Sequence, residues 1–227
     1  MVKIFLDGPS LEDIEKYDST VAGYTTNPSL LKKLGISDYK DYALRILSKT
    51  DKPVSFEILA DEMEEMIIQA IELDSWGKNV FVKIPVTDTK GRTTFPVIKT
   101  LVKSGIKLNV TAVMTIKQVG EMTLALEGAK PAYLSIFAGR IADTGRDPLT
   151  TMIKALYLLK GSGVELIWAS PREAYNYYQA DQIGCHVITC SKDIIEKVVN
   201  LRGKDLTEYS LDTVKQFFTD AKGFNIN

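Results

Sequence analysis

The chain has 227 residues, 45% of them hydrophobic and 25% charged, the proportions of a soluble globular protein. Its 28 basic and 29 acidic residues leave a net charge of -1, which excludes a bulk field that would draw it to nucleic acid or to anionic membrane. No apolar stretch reaches the ~18 residues of a membrane span, and the start, Met1-Val2-Lys3-Ile4-Phe5-Leu6-Asp7, turns acidic too early for a signal peptide.

Apolar runs rich in Val, Ile, Phe and Tyr alternate with amphipathic stretches along the chain. Lys3 to Asp7 is the first run, and Val21 to Thr26 follows a polar amphipathic segment. Val54 to Ile58, behind Lys52-Pro53, is the third run. Glu62 to Leu73 then carries a helical stripe of Met63, Met66, Ile67, Ala70 and Ile71. The fourth run is Val80 to Val86, and Thr93 to Ser104 repeats the helical pattern. Runs at Ile106 to Val113, Ala132 to Phe137, Val164 to Ala169 and His186 to Thr189 complete a set of eight. Helical stretches at Ile116 to Leu126, Leu149 to Leu159 and Ile194 to Leu201 separate or follow them. Gly105, Gly128, Gly163 and Gly184 each fall just before a strand, where a helix end needs positive φ.

Near-continuous apolar strands alternating with helices predict a parallel sheet covered on both faces. Eight such units predict a closed (β/α)8 TIM barrel, one domain over residues 1–227, with an open doubly wound sheet as the alternative. The tail from Leu211 to Phe224 predicts an extra C-terminal amphipathic helix that caps the barrel or packs on a neighbouring subunit. Cys185 and Cys190 flank one strand and point to opposite faces, so no disulfide is expected between them and a reducing, cytoplasmic setting fits. One His and two separated Cys supply no transition-metal site, and no dinucleotide fingerprint or P-loop occurs. His186 opens the eighth strand and is expected at the barrel bottom.

A barrel carries its function at the C-terminal ends of its strands. The polar residues there are Asp7, Thr25, Thr26, Asn27, Glu57, Lys83, Asn109, Thr111 and Ser135, with Arg140, Ser170 and Arg172 just beyond. Lys83 stands out because Val80 to Val86 is otherwise apolar, with Phe81, Lys83 and Pro85 sharing one face. An ammonium is costly to bury in such a run, and that cost favours the neutral amine that attacks a carbonyl. The alternatives are a solvent-facing edge lysine and a structural ion pair, and a closed barrel has no exposed edge. Glu57 and Asp7 are acid/base candidates, although Asp7 also suits a turn before Gly8-Pro9. Arg140 and Arg172 suit a bidentate anion clamp, and Ser170-Pro171 also suits a helix start.

Four segments, in order and at strand ends, resemble one family. Gly23-Tyr24-Thr25-Thr26-Asn27-Pro28-Ser29-Leu30, Val82-Lys83-Ile84-Pro85-Val86-Thr87, Ser135-Ile136-Phe137-Ala138-Gly139-Arg140-Ile141 and Ala169-Ser170-Pro171-Arg172 are similar to motifs of the transaldolase family in its short form, which includes the fructose-6-phosphate aldolases. The resemblance implies a TIM barrel and class I chemistry without metal or cofactor. Lys83 would form an imine with the keto carbon of a ketose phosphate. Asp7 would handle protons, Glu57 would serve as base, and Thr111 would hold the catalytic water. Asn27, Asn109 and Ser135 would hold hydroxyls of the bound dihydroxyacetone unit, Thr26 and Phe137 would contact the substrate, and Arg140, Ser170 and Arg172 would hold the phosphate of the sugar. Glu57, Ser135 and Phe137 match the transaldolases, where the aldolases carry Gln, Ala and Tyr. That implies transfer of a dihydroxyacetone unit to an aldose phosphate rather than its release. Short members form pentamers or decamers, so a homo-oligomer is expected. Trp168, Phe56 and the loop from Ala142 to Pro148 with Arg146 depart from the family pattern, which points to a variant, for instance sulfonated or polysaccharide-pathway, ketose. A non-covalent isomerase and a non-catalytic sugar-phosphate binder are the rival readings.

Overall fold

A computed structural model describes residues 1–129 and 131–225. In chain order the elements are β1 (Lys3–Asp7), α1 (Leu11–Tyr17), β2 (Gly23–Thr25), α2 (Pro28–Lys33), α3 (Tyr39–Leu47), β3 (Val54–Glu57), α4 (Met63–Ser75), β4 (Val80–Pro85), α5 (Phe95–Lys103), β5 (Leu108–Val113), α6 (Ile116–Ala125), β6 (Ala132–Ile136), α7 (Ala138–Asp143), α8 (Leu149–Leu159), β7 (Val164–Trp168), α9 (Tyr175–Gln182), β8 (Val187–Cys190), α10 (Lys192–Leu201) and α11 (Leu206–Asp220). All eight strands are parallel, and β1 pairs with β8 to close the barrel. The open-sheet alternative is thereby excluded.

Strand register sorts the side chains into two sets. One residue of each alternating pair faces the helices: Val80, Val82 and Ile84 on β4, and Leu166 and Trp168 on β7, belong to the large core under the helical ring. The other residue faces the barrel axis. There Phe5, Phe81, Tyr133, Ile167, Ala169 and Val187 form a separate apolar plug. Tyr133 meets Phe5 edge-on at 5.5 Å and Phe81 at 4.6 Å between centroids, and burial of each such ring stabilises the fold by roughly 1.5–3 kcal/mol. Gly23 makes room for the plug, since a Cβ there would lie 2.7 Å from the Phe5 ring. Below the plug, Lys3 pairs with Glu165 at 2.6 Å across the N-terminal mouth. Above it, the inward positions turn polar. A floor of aromatic and aliphatic side chains thus separates the functional end of the barrel from the other mouth.

Glycine at 105, 128, 163 and 184 adopts positive φ as its place before a strand requires. His186 lies beside the N-terminal mouth, where its Nδ1 accepts from the Leu166 amide at 3.0 Å. Cys185 and Cys190 are both buried thiols, not joined to each other. Five short helices, α1, α2, α3, α7 and α9, occupy segments whose apolar spacing had marked no helix. Local capping accounts for three of these: Ser10 and Asp13 form a capping box on α1, Asn27 with Pro28 starts α2, and Asp38 caps α3. The tail helix starts at Leu206 rather than Leu211, because the Asp205 carboxylate caps the amides of Thr207 and Glu208. It buries no side chain and presents Leu211, Val214, Phe217 and Phe218 on the surface.

Candidate active site

The polar layer above the plug borders a cavity of about 490 Å³ at the C-terminal mouth. Its walls include Asp7, Thr25, Asn27, Lys33, Glu57, Lys83, Thr111, Ala112, Ser135, Phe137, Arg140, Ser170 and Thr189. Nine of the twelve expected site residues therefore share one space. Thr26 and Asn109 are buried behind its wall, and Arg172 is exposed outside its lining.

Lys83 is only 5% exposed. Its Nζ donates to the Thr26 carbonyl at 2.8 Å and sits 3.1 Å from Glu57 Oε2. The register that aligns Glu57 with Lys83 on β3 and β4 sets this pair. A nearly buried amine held beside a carboxylate has its proton acceptor within reach, which is what nucleophilic attack by nitrogen requires. Thr26 contributes through its backbone carbonyl, while its hydroxyl donates to the Ser55 carbonyl at 3.0 Å.

Asp7 ends β1, where Thr25 donates to its Oδ1 at 2.7 Å, and the Thr25 hydroxyl lies 2.5 Å from that of Thr189. Burial pushes the Asp7 carboxyl above its ordinary range; the Lys83 charge and the Thr25 hydroxyl offset only part of that rise. A carboxyl whose folded pKa is raised binds its proton more tightly in the folded state, so its ionisation destabilises the fold. That cost is absent below the ordinary value of 3.8 and present above the raised one. Asp7→Asn is therefore expected to raise the melting temperature at pH 7, with the gain fading as pH falls toward 3.8. The same change should cut turnover by about 10²-fold or more if Asp7 moves a proton. Thermal melts at two pH values check the first part, and steady-state rates the second. A variant less stable than the parent at pH 7 contradicts the burial argument.

On the opposite side, Ser135 donates to Asn109 Oδ1 at 2.7 Å, and Asn109 Nδ2 donates to Ser55 at 2.9 Å. Asn109 is wholly buried and fixes Ser135, which reaches the cavity. Thr111 is 1% exposed, and its hydroxyl has no hydrogen-bond partner among the described residues. A buried hydroxyl on a cavity wall is available to water or substrate. Beside it β5 carries a register shift between Val110 and Val113, with Ala112 at φ 60°. A non-glycine residue in that region is strained, and here the strain lies on the cavity wall. Asn27 spends Oδ1 on the Leu30 amide at 3.0 Å, leaving its amide NH2 for a ligand.

The rim is cationic. Arg140 lies over the Phe137 ring at 5.2 Å. Arg172 donates from Nε to Asp143 Oδ1 at 2.9 Å, from a terminal nitrogen to Asp143 Oδ2, and from its other terminal nitrogen to Ser170 at 3.0 Å. Hydrogen bonding to Arg172 holds the Asp143 carboxyl below its usual range. Ser170 does not begin a helix: it adopts φ 61°, and α9 starts at Tyr175. Asn176 Oδ1 instead accepts from the Arg172 and Glu173 amides. Two loops at the mouth are also tied together. Thr89, after the lysine strand, donates twice to Asp61, and Lys90 and Arg92 pair with Glu62. Trp168 and Phe56 point outward into the core beneath the helices, so those two departures concern packing and not the substrate.

Among the residues that sequence pattern alone did not assign to the site are Lys33, Ala112 and Thr189. Thr25 was visible at a strand end, and the register of β2 with β1 is what turns it inward to Asp7.

Comparison with known proteins bears on the fold and the family. The structure resembles that of inosine 5'-monophosphate dehydrogenase from Legionella pneumophila with a TM-score of 0.58 at 12% identity, covering 83% of this chain and 57% of that one; this is a likeness of fold. In sequence, the chain is 33% identical over 229 residues to a probable transaldolase of Clostridium perfringens, covering 99% of this chain and 100% of the relative. It is 34% identical over 203 residues to a probable transaldolase of Methanococcus maripaludis, covering 88% and 90%. A probable transaldolase of Dehalococcoides mccartyi is 36% identical over 203 residues, covering 87% and 90%. The family model described as Transaldolase/Fructose-6-phosphate aldolase matches residues 4–227. With a match to that model over nearly its whole length and a closed eight-stranded barrel, this chain belongs to the transaldolase/fructose-6-phosphate aldolase family.

Proposed function

We propose that the protein is a transaldolase that carries a dihydroxyacetone unit on Lys83 from a ketose phosphate to an aldose phosphate. The observation that carries this reading is the buried amine of Lys83, 3.1 Å from Glu57, on the wall of a cavity with a cationic rim. The Lys83 amine adds to the keto carbon, and loss of water leaves a protonated imine. Asp7 takes the proton from the C4 hydroxyl, the C3–C4 bond breaks, and its electron pair moves into the imine to give an enamine. An aldehyde leaves. A second aldehyde then accepts the C3 carbon and regains a proton, and water, activated by Glu57 and held by Thr111, releases the product. Ser135 and Asn27 hold hydroxyls of the carried unit, and Arg140 and Ser170 hold the anionic end.

Glu57, Ser135 and Phe137 together support transfer over simple release. Glu57 is a base toward water where Gln is not. The exposed apolar face of α11 supports a homo-oligomer, pentamer or decamer, and the two free thiols support a cytoplasmic setting. The direct test is incubation with fructose 6-phosphate followed by borohydride, intact mass and peptide mapping. A dihydroxyacetone-derived adduct on Lys83, lost when an aldose phosphate is added, is the expected result. An adduct only with another ketose moves the substrate, and none with any ketose phosphate removes the imine mechanism.

A further inference from the structure

We infer that Lys33 supplies a second cation that grips the anionic end of the substrate from the wall facing Arg140. The inference rests on the reading of the cavity as a sugar-phosphate site and adds a specificity-determining residue to it. Lys33 ends α2, which follows β2, and Arg140 lies on α7, which follows β6. In a closed ring of eight strands these are four apart, on opposite sides of the barrel. Both residues nevertheless border the one cavity that holds Lys83.

The charge balance of the cavity separates its depth from its rim. At depth, Lys83 is matched by Glu57, with Asp7 as a further carboxyl. At the rim, neither Lys33 nor Arg140 forms an ion pair among the described residues, whereas the third cation, Arg172, has its guanidinium engaged by Asp143 and Ser170 and does not border the cavity. A lysine in the last turn of a helix is favoured by the helix dipole alone. Lys32 satisfies that preference equally, yet only Lys33 borders this cavity. An open rim with two unpaired cations on facing walls suits a terminal tetrahedral anion, phosphate or sulfonate, on a sugar reaching up from the imine carbon.

Two measurements test this. In the first, inorganic phosphate is titrated into the wild-type protein and into Lys33→Ala and Lys33→Arg by calorimetry or NMR. Loss of one charged contact should weaken binding about tenfold in Lys33→Ala, and Lys33→Arg should restore most of it. In the second, kcat/KM is compared for glyceraldehyde 3-phosphate and glyceraldehyde as acceptors. The preference for the phosphorylated acceptor should fall about tenfold in Lys33→Ala, through KM rather than kcat. Equal phosphate affinity in wild type and Lys33→Ala, or no phosphate binding by the wild type, overturns the inference. Failure of the borohydride adduct on Lys83 overturns instead the reading beneath it, and the phosphate titration still decides the role of Lys33.

Discussion

Lys83→Ala is expected to lower transfer activity by about 10⁴-fold or more and to destabilise the protein, while Lys83→Arg should lose the activity and keep most of the stability. The two variants separate two jobs of one side chain. As the proposed nucleophile, Lys83 would form the covalent bond that makes the keto carbon an electron sink, and no neighbouring group would replace it. A guanidinium stays protonated and does not form that imine, so neither variant should give a borohydride adduct. As a cation, Lys83 neutralises Glu57 at 3.1 Å in a pocket where the two side chains are 6% and 14% exposed. Removing one partner of such a pair leaves a buried charge without compensation, at a cost of about 3 kcal/mol. Arginine retains the charge and offers donors to Glu57 and the Thr26 carbonyl. Denaturant unfolding of the three proteins, beside their rates, checks both halves. Substantial turnover by Lys83→Arg would exclude the imine route and return the non-covalent isomerase reading to favour.

The strands and the inward placement of Lys83 were legible because both depend on short-range pattern. Alternation along Val80 to Val86 placed Phe81 and Lys83 on one face, and the closed barrel turned that face inward. Groups that act from beyond a strand end were harder to place. β2 ends at Thr25, yet the Thr26 amide still donates to the Ser55 carbonyl at 3.0 Å, so the two side chains face opposite ways as in a strand. Two adjacent threonines therefore take different tasks: Thr25 points its hydroxyl at Asp7, and Thr26 offers its carbonyl to Lys83. Asn109 keeps strand alternation but spends both ends of its amide on Ser55 and Ser135, a fact of three-strand register that one strand does not disclose. The bulge at Ala112 and the left-handed Ser170 left no compositional mark, since neither position is glycine. Lys33 required α2, a helix specified by its Asn27-Pro28 start more than by an apolar stripe.

Gly139→Ala should separate anion recognition from imine formation. A Cβ at Gly139 would lie 1.6 Å from the Ser170 carbonyl oxygen and 2.7 Å from its carbonyl carbon. Backbone atoms cannot swing aside as a long side chain can, so α7 and the turn after β7 must part. Overpacking of this kind costs about 1–3 kcal/mol, occasionally more. The displaced parts are specific. Gly139 stands next to Arg140 on α7, and Ser170 already holds φ 61° in a turn closed by the Gly139 amide on the Ala169 carbonyl at 3.4 Å. Arg140, Ser170 and the Asp143–Arg172 pair therefore lose their mutual register together, which should cost phosphorylated substrates about 10²-fold in kcat/KM or more. Lys83, Glu57 and Asp7 sit on β4, β3 and β1 and share no backbone contact with Gly139. Dihydroxyacetone, which carries no anion, should accordingly still be trapped on Lys83 of the variant by borohydride. If the folded variant lost trapping and phosphate discrimination in equal measure, the rim and the imine centre would be one mechanical unit. If it kept both, the contact at Gly139 would not fix the anion grip.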